Sequence, residues 1–162
     1  MKVLGIDPGT ATTGWAIIEE NKGKINPVAF GHISTSSKKS TAERLKEVAD
    51  DIENIIKKYK PQESAIEDIF FFKNQKTAVK VSQSRGAILL TLENKNVKIF
   101  SYTPLQVKQA ITGYGRAGKK QMQLMVKNIL KLKAIPKPDD TADAIAIAIC
   151  HLNSRKLNII KN

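Results

Sequence analysis

The chain has 162 residues, 41% of them hydrophobic and 26% charged, with 27 Lys and Arg against 15 Asp and Glu for a formal net charge of +12. That length and composition suit one globular α/β domain over residues 1–162 with a core of its own, and exclude a disordered chain; the positive excess is larger than solubility requires and points to a polyanionic partner. The single Cys, Cys150, excludes an intramolecular disulfide and a Cys-based zinc site. No apolar run is long enough for a membrane span and no signal-peptide segment opens the chain, so a cytosolic location is expected.

Residues 2–6, KVLGI, read as a buried strand, and 13–19, TGWAIIE, as a second after a glycine-containing turn. EENKGKIN reads as a hairpin turn and VAFGHIST as a third strand, so the chain opens with three antiparallel strands. Ser40 and Glu43 form a capping-box pattern. Behind them Leu45, Val48, Ile52, Ile55 and Ile56 recur at helical spacing, which predicts a helix over 41–59 ended by Pro61. SAIE at 64–67 is a short strand. After the FFFKNQ interruption, 75–94 is a helix with Ala78, Val81, Ile88 and Leu92 inward. VKIFS at 97–101 is the last strand. Thr103-Pro104 opens another helix, 119–132 is a further one, and the last runs over about 140–153, after Pro136 and Pro138. The order βββ-α-β-α-β-α-α-α predicts a mixed sheet flanked by helices.

Two glycine-rich stretches invite a nucleotide-binding reading. GYGRAG, with Gly113, Gly115 and Gly118, has the GxGxxG spacing but follows a helix rather than a strand. Lys108, Arg116, Lys119 and Lys120 surround it, so a basic loop that meets phosphates fits better. GIDPGTATTGWA lacks the Lys of a phosphate-binding loop and carries Asp7 instead. Gly5 and Gly9 are read as permitting the tight path around that Asp.

The acids form the more informative pattern. Asp7 and Glu67 each end a strand, whereas Asp68 points the other way by alternation. Asp140 and Asp143 share one face at the start of the last helix, with Asp139 as the expected N-cap. Behind them 144–150, AIAIAIC, is apolar on every side, as in a buried helix whose Ala residues allow close approach. Each acid alone could be a turn or helix-end residue. Four gathered together are unfavourable without a divalent cation, and an oxygen-only donor set selects Mg²⁺ or Mn²⁺. On a strongly basic chain this points to metal-dependent phosphodiester cleavage. His32 and His151 are expected to be structural or exposed, His151 lying two turns beyond Asp143, too far to share a metal with it.

GIDPG with TGWA, AIEDIFFFKN, QVKQAITGYGRAGKKQM and DDTADAIAIAI, in this order over nearly the whole chain, resemble the bacterial Holliday junction resolvases of the RuvC family, within the ribonuclease H-like superfamily. The resemblance implies a ribonuclease H-like fold with three antiparallel strands followed by parallel ones. It implies a homodimeric endonuclease that resolves four-way DNA junctions in recombination and repair, with two Mg²⁺ ions per site, Mn²⁺ substituting. Asp7, Glu67, Asp140 and Asp143 match the metal-ligand positions, and Lys108 and Lys119 the basic residues at the scissile phosphate, with Lys120 doubling the site. Phe70 matches an aromatic that stacks at the junction centre, a role Phe71 or Phe72 could share. Arg116 joins the expected DNA contacts. A nucleoid-associated location and a RuvA–RuvB branch-migration partner follow from the resemblance too. The helix over 75–94, with its apolar ILLTL run, is the candidate dimer face.

Overall fold

The computed structural model describes residues 1–68 and 75–160. A five-stranded sheet of order β3-β2-β1-β4-β5 is formed by β1 (Lys2–Asp7), β2 (Thr12–Asn21), β3 (Lys24–Ser34), β4 (Glu63–Glu67) and β5 (Lys98–Tyr102). The first three strands are antiparallel; β4 and β5 run parallel to β1. The helices are α1 (Thr41–Tyr59), α2 (Gln75–Asn94), α3 (Pro104–Thr112), α4 (Lys119–Ile129) and α5 (Asp139–Ile160).

Local chemistry sets the joints. The β2–β3 hairpin closes on Lys22 and Gly23, both at positive φ (49° and 82°), the turn that matches strand twist. The strands therefore run further into EENKGKIN than the turn residues suggest. Ser40 caps α1 reciprocally with Glu43, and Lys60 ends it in the left-handed conformation, its N–H donating to the Ile56 carbonyl at 2.8 Å. Thr103 and Gln106 form the same box at α3, behind Pro104. Gly113 (φ 72°) caps the C-terminus of α3 and Gly118 precedes α4, so GYGRAG joins two helices. The fourth helix ends at Ile129, three residues short of the expected 132.

Strand alternation divides the core in two. Leu4, Ile6, Ile17, Ile33 and Ile66 pack on one face against Val48, Ile52, Ile55 and Ile56 of α1 and Ile88 and Leu92 of α2. Val3, Ala16, Ile18 and Ala65 pack on the other, against Ala144 to Cys150 of α5 and Val107, Ile111, Met122 and Val126 of α3 and α4. The ILLTL run of α2 divides accordingly: Ile88 and Leu92 are fully buried, and Leu90 is 63% exposed.

The glycines show how close α5 comes. A Cβ on Gly5 would lie 2.2 Å from the Ala144 carbonyl oxygen, and one on Gly14 1.9 Å from that of Asp140. Gly5 therefore serves helix packing rather than the turn, a correction to the reading above. Gly9 does serve the turn, where a Cβ would lie 2.1 Å from the Thr12 carbonyl oxygen. Asp139 is also corrected. It lies within α5, and its carboxylate accepts from Gln123 Nε2 at 2.9 Å instead of capping the helix.

Candidate active site

The strand period places the site. Asp7 shares its β1 face with Val3 and Gly5, and Glu67 its β4 face with Glu63 and Ala65, so both acids face α5 from the C-terminal ends of parallel neighbours. Gly14 is the register partner of Asp7, and its missing Cβ is what admits the Asp140 backbone. Asp143, one turn on, follows on the same helix.

The four acids act on one another. Burial raises the Asp7 carboxyl well above the ordinary carboxylate range, helped by the charges of Glu67, Asp143 and Asp140 and opposed by Lys119. Burial, then the Asp143 charge, pushes Glu67 up to about 7 against the pull of Lys108 and Lys119. Asp143 is raised mainly by burial, with Lys119 opposing and Asp140 and Asp139 reinforcing. All three respond as anions whose desolvation and mutual repulsion are only partly offset. A cavity of about 210 Å³ opens beside them, lined by Glu67, Asp143, Lys108, Lys119, Met122 and Ile147.

Lys119, at the first position of α4, separates itself from Lys120 here. Its Nζ lies 3.2 Å from Asp139 and 3.6 Å from Asp143. Burial lowers its affinity for the proton, but the bond to Asp139 and the surrounding acids outweigh that and hold the ammonium above its usual range. Lys120 and Arg116 are exposed, and Lys108 is half-buried in the cavity wall. Phe70, Phe71 and Phe72 lie outside the described residues.

The donor set consists of hard carboxylate oxygens, which suit a Mg²⁺ or Mn²⁺ ion. Among the described residues, no three His, Cys, Asp or Glu side chains are drawn together into a ready-made metal cage. The acids share a field, with Lys119 as their countercharge. Unrelieved anionic repulsion of this kind fits a site for a divalent cation.

Two supports of the site escape a reading of the acids alone. Arg85 of α2 donates from Nε to the Glu67 carbonyl at 3.1 Å and from Nη2 to Ser101 Oγ at 2.9 Å, and pairs with Asp68 at 3.2 Å. It holds the end of β4 from behind. Its sequence signal is a charge three residues before Ile88 on the inward stripe of α2. The second support lies at the other end of β4. Glu63 accepts a 2.7 Å contact from His151 Nε2 and a 3.0 Å contact from Arg155, and His151 Nδ1 lies 2.8 Å from the Tyr102 hydroxyl. Phe100 stacks on the imidazole with centroids 4.4 Å apart. His151 is thus wholly buried and structural, with burial depressing its pKa against the opposing bond to Glu63. Four strand residues from Glu63 to Glu67 span about 13 Å, and eight helical residues from Asp143 to His151 about 12 Å. The Glu63–His151 bond therefore sets the register in which α5 brings Asp143 to Glu67. The signal available in sequence was that Glu63 and Glu67 share a face.

Comparison with known proteins agrees with this architecture. The family model for crossover junction endodeoxyribonuclease RuvC matches residues 3–151. A crossover junction endodeoxyribonuclease RuvC from Fusobacterium nucleatum is 56% identical over 154 residues, covering 95% of this chain and 81% of that one. Another from Halothermothrix orenii is 54% identical over 158 residues, covering 98% and 96%. The structure of Thermus thermophilus RuvC in complex with Holliday junction substrate superimposes with a TM-score of 0.92 at 33% identity, covering 98% of this chain and 96% of that one. No described helix is long and apolar enough to cross a membrane. On the match across 3–151 and these identities, the chain belongs to the RuvC family of crossover junction endodeoxyribonucleases.

Proposed function

We propose that this protein is a structure-selective endonuclease that resolves four-way DNA junctions by nicking two strands of like polarity, leaving 5′-phosphate and 3′-hydroxyl ends. The observation that carries the reading is the mutual field of Asp7, Glu67, Asp140 and Asp143 at a cavity whose cations are Lys108 and Lys119. Family membership and the likeness to a junction-bound RuvC support the choice of substrate.

In this reading Asp7, Glu67, Asp140 and Asp143 hold the divalent cations, Mg²⁺ with Mn²⁺ substituting. Such ions, when bound, activate a water for in-line attack and stabilise the departing 3′ oxygen. The strand ends and α5 keep the carboxylates in place without reorganisation. Lys119, held by Asp139 and Asp143, offsets charge on the non-bridging phosphate oxygens as it develops, and Lys108 positions the scissile backbone from the cavity wall. Arg116 and Lys120 contact flanking phosphates. A two-fold junction suits a two-fold protein, and α2, with Val79 and Leu90 57% and 63% exposed, is the proposed face for a second copy. Service with a RuvA–RuvB motor is supported by the family alone.

The test is incubation with a synthetic four-way junction and a matched duplex, with Mg²⁺ or EDTA. Paired symmetric nicks in the junction, only with Mg²⁺, are expected; equal cutting of the duplex refutes junction selectivity. Asp7→Asn should abolish nicking while keeping junction affinity, and a variant that nicks at near the wild-type rate removes Asp7 from the site.

A further inference from the structure

A second basic cleft, separate from the one that holds Lys108, reaches one of the four carboxylates, Asp140. It is a groove of about 480 Å³ between the β1–β2 turn, α1 and α2. Asp140 stands at one end, and Thr10, Thr12, Ser37, Arg44 and Lys80 are along its walls. Asp140 is its only acid, and among the described residues neither Arg44 nor Lys80 is in an ion pair.

The walls are fixed by a relay of hydrogen bonds. Arg44 Nε donates to Thr35 Oγ1 at 2.8 Å, and Thr35 Oγ1 donates to the Thr10 carbonyl at 2.6 Å. Thr10 Oγ1 donates to the Lys80 carbonyl at 2.7 Å, and Ser84 Oγ to that of Gly9 at 2.9 Å. The relay ties the turn after Asp7 to both helices. It engages Arg44 through Nε alone, and Lys80 through its main chain alone. The terminal nitrogens of the guanidinium, and the exposed Lys80 side chain, are thus left to a groove whose one acid is Asp140. Cations in no ion pair, along a channel lined by hydroxyls, match a phosphodiester backbone.

We infer that this groove is a seat for the backbone of the strand being cut, on the side of the scissile phosphate opposite the Lys108–Lys119 cavity. The inference rests on the nuclease reading above and extends it. Glu67 and Asp143 line one basic cleft and Asp140 stands in the other, so a strand running past all three is gripped on each side of the bond to be broken. Such a grip resists displacement of the phosphate during attack.

The experiment measures junction binding in EDTA over a series of salt concentrations for wild type, Lys80→Gln, Arg44→Gln and the hairpin control Lys24→Gln. Lys80→Gln leaves the relay intact, because only the Lys80 carbonyl takes part in it. Each groove variant should weaken binding about tenfold and lower the slope of log K against log salt by about 1, with Lys24→Gln unchanged. A neutral methylphosphonate is then placed at one linkage at a time within a few nucleotides of the cut. At one linkage it should weaken wild-type binding and erase the further effect of Lys80→Gln. Slopes equal to wild type, losses no greater than that of Lys24→Gln, or no linkage that cancels the Lys80 effect, each overturn the groove. If wild type nicks junctions while Lys80→Gln changes nothing, the groove fails and the nuclease reading stands. If wild type does not nick junctions while the Lys80 effect persists on DNA, the nuclease reading fails, and with it the placement on a cut strand, and the groove stands as a DNA-backbone seat alone.

Discussion

Gly14→Ala tests how the sheet delivers Asp140 to Asp7. The added Cβ would lie 1.9 Å from the Asp140 carbonyl oxygen, and real Cβ contacts essentially never fall below 3.0 Å, so a separation of about 1.1 Å must be found. Strand β2 is held in the sheet between β1 and β3 and cannot retreat, so the start of α5 moves. Overpacking of this kind costs roughly 1–3 kcal/mol, which for a chain of this length lowers Tm by about 2 to 12 °C. The larger effect is on chemistry. A displacement of about 1 Å at a reacting centre reduces rate on the order of 100-fold. Single-turnover nicking of a four-way junction under saturating protein isolates that effect, with thermal unfolding as the parallel measurement. Gly31→Ala, where the Cβ meets Trp15 at an ordinary 3.4 Å, is the control and should leave both unchanged. If Gly14→Ala nicks within about threefold of wild type while Gly31→Ala does the same, the close approach does not position Asp140 and the reasoning is wrong.

Three further outcomes follow from the supports of the site. Arg85→Gln removes the donor to the Glu67 carbonyl and should weaken Mn²⁺ affinity of the protein alone about 10- to 100-fold, read by calorimetry, with junction affinity in EDTA unchanged; an unaltered Mn²⁺ affinity separates Arg85 from the site. The folded-state pKa of His151 is depressed, so the unfolded chain takes up its proton first as pH falls. The stability owed to the neutral imidazole is therefore complete above its unfolded value of about 6.5 and is lost as pH drops below it toward the depressed folded value. His151→Gln should be less stable at pH 8 yet lose less Tm between pH 7 and pH 5.5 than wild type, and equal losses would contradict this coupling. Burial pushes the Cys150 thiol up to about 11, so iodoacetamide should leave it unmodified in the native protein at pH 8 and label it in denaturant; native labelling at the unfolded rate would show that α5 opens readily.

Much of the fold is written locally. The periods of two and of 3.6, the Ser40–Glu43 and Thr103–Gln106 boxes and the prolines mark each described element to within a few residues, because each signal acts within a turn or a strand length. The four acids could be singled out in the same way, each at a strand end or helix start next to an apolar segment. Their relation to one another could not. Periodicity says which face of β4 is buried, but not that Glu63 finds His151 88 residues away and so sets the register at which Asp143 faces Glu67. The same holds for Lys119 over Lys120, since adjacent residues on a helix point about 100° apart and only the placement of α4 against α5 turns one of them toward Asp139 and Asp143. It holds for Gly5 as well, whose missing side chain reads as turn freedom along the chain and as room for the Ala144 carbonyl in three dimensions. Sequence alone determined the elements and the chemical types at their ends, because those depend on neighbours along the chain. The tertiary structure decided which ends meet, because close approach and charge coupling depend on distances between segments that the chain itself leaves free.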